Sequence, residues 1–468
     1  MSINTYDNIH TGKTLRVDAS DIAVAILGLG FLTLGVFWSP SLSYWWDEFS
    51  LIQAHQKGVA GVLDGHMGHF LPIGRTVLWL ETLLFGSSYH LLILVNGLVL
   101  LSTVFLIRKQ IFQPNHANTS PALGAVVGLF MVASVFSSSG IWYDLQWGMQ
   151  ICWFLAVFFG VLASTVTLKS TRSYVRFYFF ILLSWLSLGS TSIAIFFIVI
   201  PLSLQRNKLN VIHANVYFFI SLFLTYISSK LAFIFPPVDS RAAGWPTNFA
   251  VLFEQTWDII RWTLATTITW LISPMSLFLP SQAISNLSVG TFIFRNSLIC
   301  IFGFFLLFLL VLAAAIRMHD VQRQAAMGMC VLLVGLVVSS LLIVVSRIGN
   351  TESFLHIRYA PILQIQSMLF YIFMFQLFWS KRLIFFRISG FILSFLLIAT
   401  ITVSVLKIRE TVSTASELSR IRDTKAQLDE LEKCAISVES VTVYPSIQPA
   451  LSNNEICEIS ATVRGLVD

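Results

Sequence analysis

Apolar runs of about 20 residues recur along the chain from Asp21 to Leu406, each bounded by a polar connector. Wound as a helix, a run of that length matches the thickness of a hydrocarbon layer. The runs lack the two-residue alternation of barrel strands, and in lipid each segment must satisfy its own backbone amides, so helices are predicted throughout. The pattern places about eleven crossings, near 22–39, 90–107, 121–138, 150–168, 176–189, 191–204, 211–235, 291–316, 325–345, 358–379 and 385–406. The fifth and sixth are short for a full span. Their junction at Gly189-Ser190-Thr191 predicts a hairpin that is tilted or sits in a thinned or solvated part of the structure.

Composition agrees with the pattern. Of the 468 residues, 56% are hydrophobic and 11% charged, whereas soluble domains carry roughly 25% charged residues. The net charge of +6 does not form a long basic patch, which argues against nucleic acid as a partner. Instead the basic residues cluster at Arg108-Lys109, Lys169/Arg172/Arg176, Arg206/Lys208, Arg317/Arg323 and Lys381/Arg382/Arg387. These are every second connection, as the positive-inside rule requires of a multi-pass protein of the cytoplasmic (inner) membrane with a cytoplasmic N-terminus. The first run follows Lys13 and Arg16 but has no small-residue cleavage site before Trp45-Trp46. It reads as a retained helix, not a signal peptide.

The expected organisation is a cytoplasmic segment 1–21, a transmembrane domain 22–406 and a small extracytoplasmic tail 407–468. Two outer connections, 40–89 and 236–290, exceed the length of an ordinary turn, and such loops are usually functional or disordered. Within the first, Ile73 to Phe85 is amphipathic and is predicted to lie along the membrane surface. In the second, the apolar piece 257–279, interrupted by Pro274 and Pro280, reads as a surface helix or a re-entrant hairpin. The tail combines a charge-alternating segment, Glu417 to Lys433, with a β-prone stretch, Ile436 to Tyr444. Facing an oxidising compartment, its Cys434 and Cys457 are expected to pair, closing a loop worth about 3 kcal/mol. Cys152, Cys300 and Cys330 lie in apolar runs and read as small packing residues.

Polar chemistry concentrates in the first outer loop, at Trp45-Trp46-Asp47-Glu48 and then Asp64, His66, His69 and Arg75. Aromatic residues at a helix end anchor the interface, but two adjacent carboxylates behind them call for more. Such a pair beside an apolar wall can act as a general base or hold a divalent cation. The alternative is a solvated loop start. His66 and His69 have metal-compatible spacing, yet without cysteines or a nearby third ligand they are a weak zinc signal and fit substrate binding better. The second outer connection carries Asp144 within Trp142-Tyr143-Asp144-Leu145, either as a functional carboxylate or as a cap for the next helix. Arg347, Arg358 and Tyr359 fall in a late outer connection, where basic residues run against topology. Arginine binds phosphate bidentately, and lipid-headgroup contact is the competing explanation. Walker, dinucleotide and serine-hydrolase motifs are absent from the sequence.

The order of an apolar helix, Trp46-Asp47-Glu48, a spacer, Gly68-His69-Phe70-Leu71-Pro72, an amphipathic helix ending at Phe85-Gly86 and a helix closing at Arg108-Lys109 resembles the amino-terminal part of GT-C glycosyltransferases. The resemblance covers about the first 110 residues by motif and the remainder by topology only. It implies an all-α, GT-C-like membrane enzyme that moves a sugar from a polyprenyl-phosphate carrier to a hydroxyl of a glycan, glycolipid or protein at the outer face of the membrane, with inversion. Asp47 would be the general base, with Glu48 and Asp144 orienting it or sharing a divalent cation such as Mg or Mn. His66, His69, Arg75, Arg347, Arg358 and Tyr359 would contact the substrates. Two other classes compete: a transporter or flippase for lipid-linked sugars, and a non-catalytic subunit of an envelope assembly.

Overall fold

The computed structural model describes residues 19–39, 59–63, 70–85, 89–111, 121–146, 150–168, 170–189, 192–205, 211–234, 254–274, 295–318, 320–346, 359–379, 395 and 398–413. Among these residues the protein is helical, with no strand. After α1 (Ala19–Trp38) and a single turn at Val59–Leu63 come α2 (Pro72–Phe85), α3 (Tyr89–Ile111), α4 (Pro121–Phe136) and the short α5 (Ser139–Leu145). Next are α6 (Ile151–Thr165), α7 (Thr171–Leu188), α8 (Ser192–Leu204) and α9 (Val211–Ile234). The chain continues through α10 (Thr256–Ile272), α11 (Ser297–Arg317), α12 (Asp320–Ser346) and α13 (Ala360–Trp379), ending with α14 at 398–413.

Among the described residues, five helices are long and apolar enough to cross a membrane, within α1, α3, α11, α12 and α13. The pair α4–α5, bent by 67° at its break, could make a sixth span. This is a multi-pass, all-α membrane architecture. Some crossings expected from hydropathy are too short to be spans alone: α6 and α8 are apolar helices of 15 and 13 residues. At 1.5 Å per residue, α8 reaches only about 20 Å, short of the roughly 30 Å hydrocarbon layer. Every residue from Ser192 to Ser203 is buried. Being apolar all round, α8 forms the centre of the bundle, packed against α6, α9, α12 and α13 instead of lipid.

Contacts at helix ends sort the bundle into two ends. At one, Asp21 near the start of α1 is buried and bridges Arg108 and Lys109 at the end of α3. Arg108 Nε also donates to Gly124 O (3.4 Å) near the start of α4, and Gln110 Nε2 donates to Val161 O (3.2 Å) in α6. Two cations around one carboxylate lower the cost of burying all three in an apolar setting. At the other end, His90 Nε2 donates to Ser39 O at 3.4 Å, so α1 and α3 run antiparallel. Arg409 lies over Trp38, 4.5 Å from the ring centroid, which brings α14 to this same end. That helix runs seven residues past the expected boundary at Leu406.

Two segments of the outer connections pack on the bundle. One face of α2 packs on α6 and α7, burying Arg75 and Leu78, while Leu80 and Leu84 are exposed. Gly189 ends α7 at φ 65°, a conformation glycine adopts without strain. A Cβ there would press on the Phe70 backbone leading into α2. The second is the piece of the 236–290 connection left open between a surface helix and a re-entrant hairpin. As α10 it packs along α12 and, less extensively, α11 and α13. Its face Thr263, Leu264, Thr266, Thr267 and Trp270 is buried, so it belongs to the bundle, not to a solvated surface.

Candidate functional site

The end of the bundle that contains Ser39 holds the polar residues of interest, and α5 organises it. All seven of its residues are buried, from Ser139 to Leu145. The chain bends between Phe136 and Ser139, and the Trp142 indole closes the corner by donating Nε1 to Phe136 O at 2.6 Å. The same indole lies directly on Gly35 of α1, where a Cβ would overlap the ring. An aromatic wedge therefore fixes α5 between α1 and the end of α4.

Asp144 projects from this wedge-held turn and is fully buried. The residue at the start of α6 is Gln150, in αR geometry and without a side-chain cap bond. Two residues beyond Asp144, Gln146 Nε2 donates to Ser39 Oγ at 3.2 Å. Ser39 Oγ in turn donates to Gly35 O at 2.9 Å. The segment carrying Asp144 is thus bonded to the residue from which the first outer loop departs, eight positions before Asp47.

Neighbouring helices add further polar groups. Gln364 of α13 donates Nε2 to Ser134 O of α4 at 2.7 Å and accepts from Ser273 Oγ, just after α10, at 2.5 Å. Two residues on, on the other side of α13, Gln366 Nε2 donates to Ala194 O at 3.1 Å. Tyr359 meets Trp153 edge to face at 5.4 Å, so the late connection also comes to this end. Arg75 is 2% exposed, held on α2 where Gly74 approaches Cys152 of α6 and Ser187 O of α7. Its burial far exceeds that of an ordinary surface-helix arginine.

Helix register identifies one more pair. Gln110 and Ser164 are hydrogen bonded at 2.9 Å near the Asp21 end of α3 and α6, which run parallel. Counting 14 residues back along each, about 21 Å, brings Asn96 and Gln150 to the same level. Both are buried, and neither amide atom of Asn96 nor Gln150 Oε1 has a hydrogen-bond partner among the described residues. Buried amides in an apolar layer are costly unless satisfied, so this level is suited to polar atoms of a bound molecule or water.

Of the residues expected to act, Asp144, Arg75 and Tyr359 therefore share one end of the bundle. Asp47, Glu48, His66, His69, Arg347 and Arg358 lie outside the described residues, as do Cys434 and Cys457. Among the described residues, no three His, Cys, Asp or Glu side chains form a metal-binding group. Gln364, Gln366, Asn96 and Gln150 were not singled out from sequence. Their signal is a strongly polar amide inside an apolar run, as in Gln364-Ile365-Gln366. No family model, curated protein or solved structure matches the chain.

Proposed function

We propose that the chain is a membrane glycosyltransferase acting at the Ser39 end of the bundle, with a polyprenyl-phosphate sugar as donor and a hydroxyl of a glycan, glycolipid or protein as acceptor. The supporting observation is the Gln146–Ser39 bond. It ties a buried carboxylate, Asp144, to the start of the loop that carries Asp47 and Glu48. A carboxylate at the membrane face suits removal of a proton from an acceptor hydroxyl as that oxygen attacks the anomeric carbon.

In this reading Asp47 takes the proton, the new glycosidic bond forms with inversion, and the carrier phosphate leaves with the bonding electron pair. A phosphate leaving group needs a positive partner more than an acid, the role given to Arg347 and Arg358. Tyr359, His66, His69 and Arg75 contact donor or acceptor. Asp144 and Glu48 orient Asp47. The described residues do not by themselves form a divalent-cation site, so no step is assigned to a metal. The test is sugar transfer by purified protein in detergent from a polyprenyl-phosphate donor, comparing the parent with Asp47→Asn and Asp144→Asn.

A flippase for lipid-linked sugars is the second reading, favoured by polar groups inside the bundle. The Thr263, Thr266, Thr267 and Thr269 hydroxyls of α10 are buried without a hydrogen-bond partner among the described residues. Buried polar residues within spans often mark a substrate path. Donor translocation in vesicles that survives Asp47→Asn, with no sugar transfer by the parent, would select this reading.

A further inference from the structure

At the Ser39 end, Arg409 of α14 is exposed, and its guanidinium carbon lies 4.5 Å from the centroid of the Trp38 ring. Arg409 forms no ion pair or hydrogen bond among the described residues, and its charged neighbours on α14, Lys407 and Glu410, form none either. Trp38 is followed directly by Ser39, which is bonded to the segment carrying Asp144. Exposed apolar stripes of both helices lead to this pair. On α14 the stripe runs from Ile398 through Val405 to Arg409, while Thr400, Ser404 and Ile408 on the other face are buried. On α1 it runs from Ile26 through Leu29 to Phe37. Apolar side chains left outside a spanning bundle in this way face lipid.

We infer that Arg409 binds the phosphate group of a membrane lipid, with Trp38 holding the guanidinium in place and the lipid chain lying along the exposed stripes of α14 and α1. A cation among lipid-facing side chains is costly without a counter-ion. The indole offsets part of that cost, because a ring face attracts a cation. It does not supply acceptors for the planar fork of N–H donors, which matches a phosphate bidentately. The charge therefore selects an anion, and the apolar approaches select an anion carried on a hydrocarbon chain over one free in water. Two kinds of lipid bring that group to the membrane face, a polyprenyl-phosphate carrier and an anionic glycerophospholipid. The inference concerns binding, not turnover, and stands without the glycosyl-transfer reading.

The test titrates the full-length protein in neutral detergent with polyprenyl monophosphate, phosphatidylglycerol or uncharged polyprenol, counting lipid-bound protein by native mass spectrometry. The parent should bind at least one of the two phosphate lipids more tightly than polyprenol. Arg409→Gln should weaken that binding about tenfold, the effect of losing a charge-assisted hydrogen-bonded pair, and leave polyprenol binding unchanged. Arg409→Lys keeps the charge without the fork, and Trp38→Leu keeps apolar bulk without the ring face, so both should fall between the parent and Arg409→Gln. Both positions are exposed, which leaves the buried faces of α1 and α14 untouched by these changes. A loss confined to polyprenyl monophosphate supports the inference with the carrier as source, and an equal loss for both lipids supports it with the phospholipid headgroup as source. Unchanged binding of both phosphate lipids in Arg409→Gln overturns it. Displacement of either lipid by an equal concentration of inorganic phosphate also overturns it, because the hydrocarbon chain would then play no part.

Discussion

Gln146 donates its side-chain amide to Ser39 Oγ at 3.2 Å, joining residues 107 positions apart in the chain. One partner ends the first transmembrane helix, and the other follows the turn that carries Asp144. A buried neutral hydrogen bond of this kind contributes about 0.5–1.5 kcal/mol, and more is lost when one partner stays behind unsatisfied. Gln146→Ala and Ser39→Ala should each lower unfolding stability in detergent by about 1 kcal/mol. The double variant should lose less than the sum. Strictly additive losses would mean that the two side chains do not act together.

Gly35 is where α1 admits the Trp142 indole, so any side chain there must displace the wedge that fixes α5. Gly35→Val should cost about 1–3 kcal/mol, the usual range for overpacking. Adding Trp142→Ala to Gly35→Val should restore part of the loss, because the clash is removed. Thermal unfolding of the single and double variants checks this. A Gly35→Val protein as stable as its parent would show that Trp142 does not occupy this place.

Asp21 holds Arg108 and Lys109 together in an apolar surround. Removing one charge from a buried cluster leaves the others uncompensated, a change typically costing about 3–5 kcal/mol. Asp21→Asn should therefore destabilise the protein strongly, and Lys109→Gln in the Asp21→Asn background should recover part of the loss. Denaturant unfolding reads both. Unchanged stability in Asp21→Asn would contradict the bridging role.

The helices were legible because each spanning segment must satisfy its own backbone, which forces long apolar runs into the sequence. Packing between helices was less legible. Pro274 and Pro280 leave the apolar piece that forms α10 open to a surface or re-entrant placement, and only packing shows Thr263, Thr266 and Thr267 buried on α12 and its neighbours. Likewise, α8 has the composition of a span but only 13 residues, and burial on all sides decides its role. Asp144 stood out as an acidic residue in an aromatic turn. Gln364 did not, because its value lies in register: it bonds to Ser134 and Ser273, 230 and 91 positions away. Asp21 looked like a helix boundary until Arg108 and Lys109 came beside it.

The central claim is that the protein performs glycosyl transfer, with Asp47 as base and Asp144 of the Ser39 end in support. Sugar transfer from a polyprenyl-phosphate donor, measured in detergent with donor binding followed separately, tests it most directly. General-base catalysis is typically worth about 10²–10⁴-fold. Asp47→Asn should reduce turnover by that factor while donor binding persists. Asp144→Asn should reduce turnover less, since it acts by orienting Asp47. A parent protein that transfers no sugar from such donors to any glycan, lipid or protein acceptor, or an Asp47→Asn variant within a few-fold of the parent rate, would contradict the account.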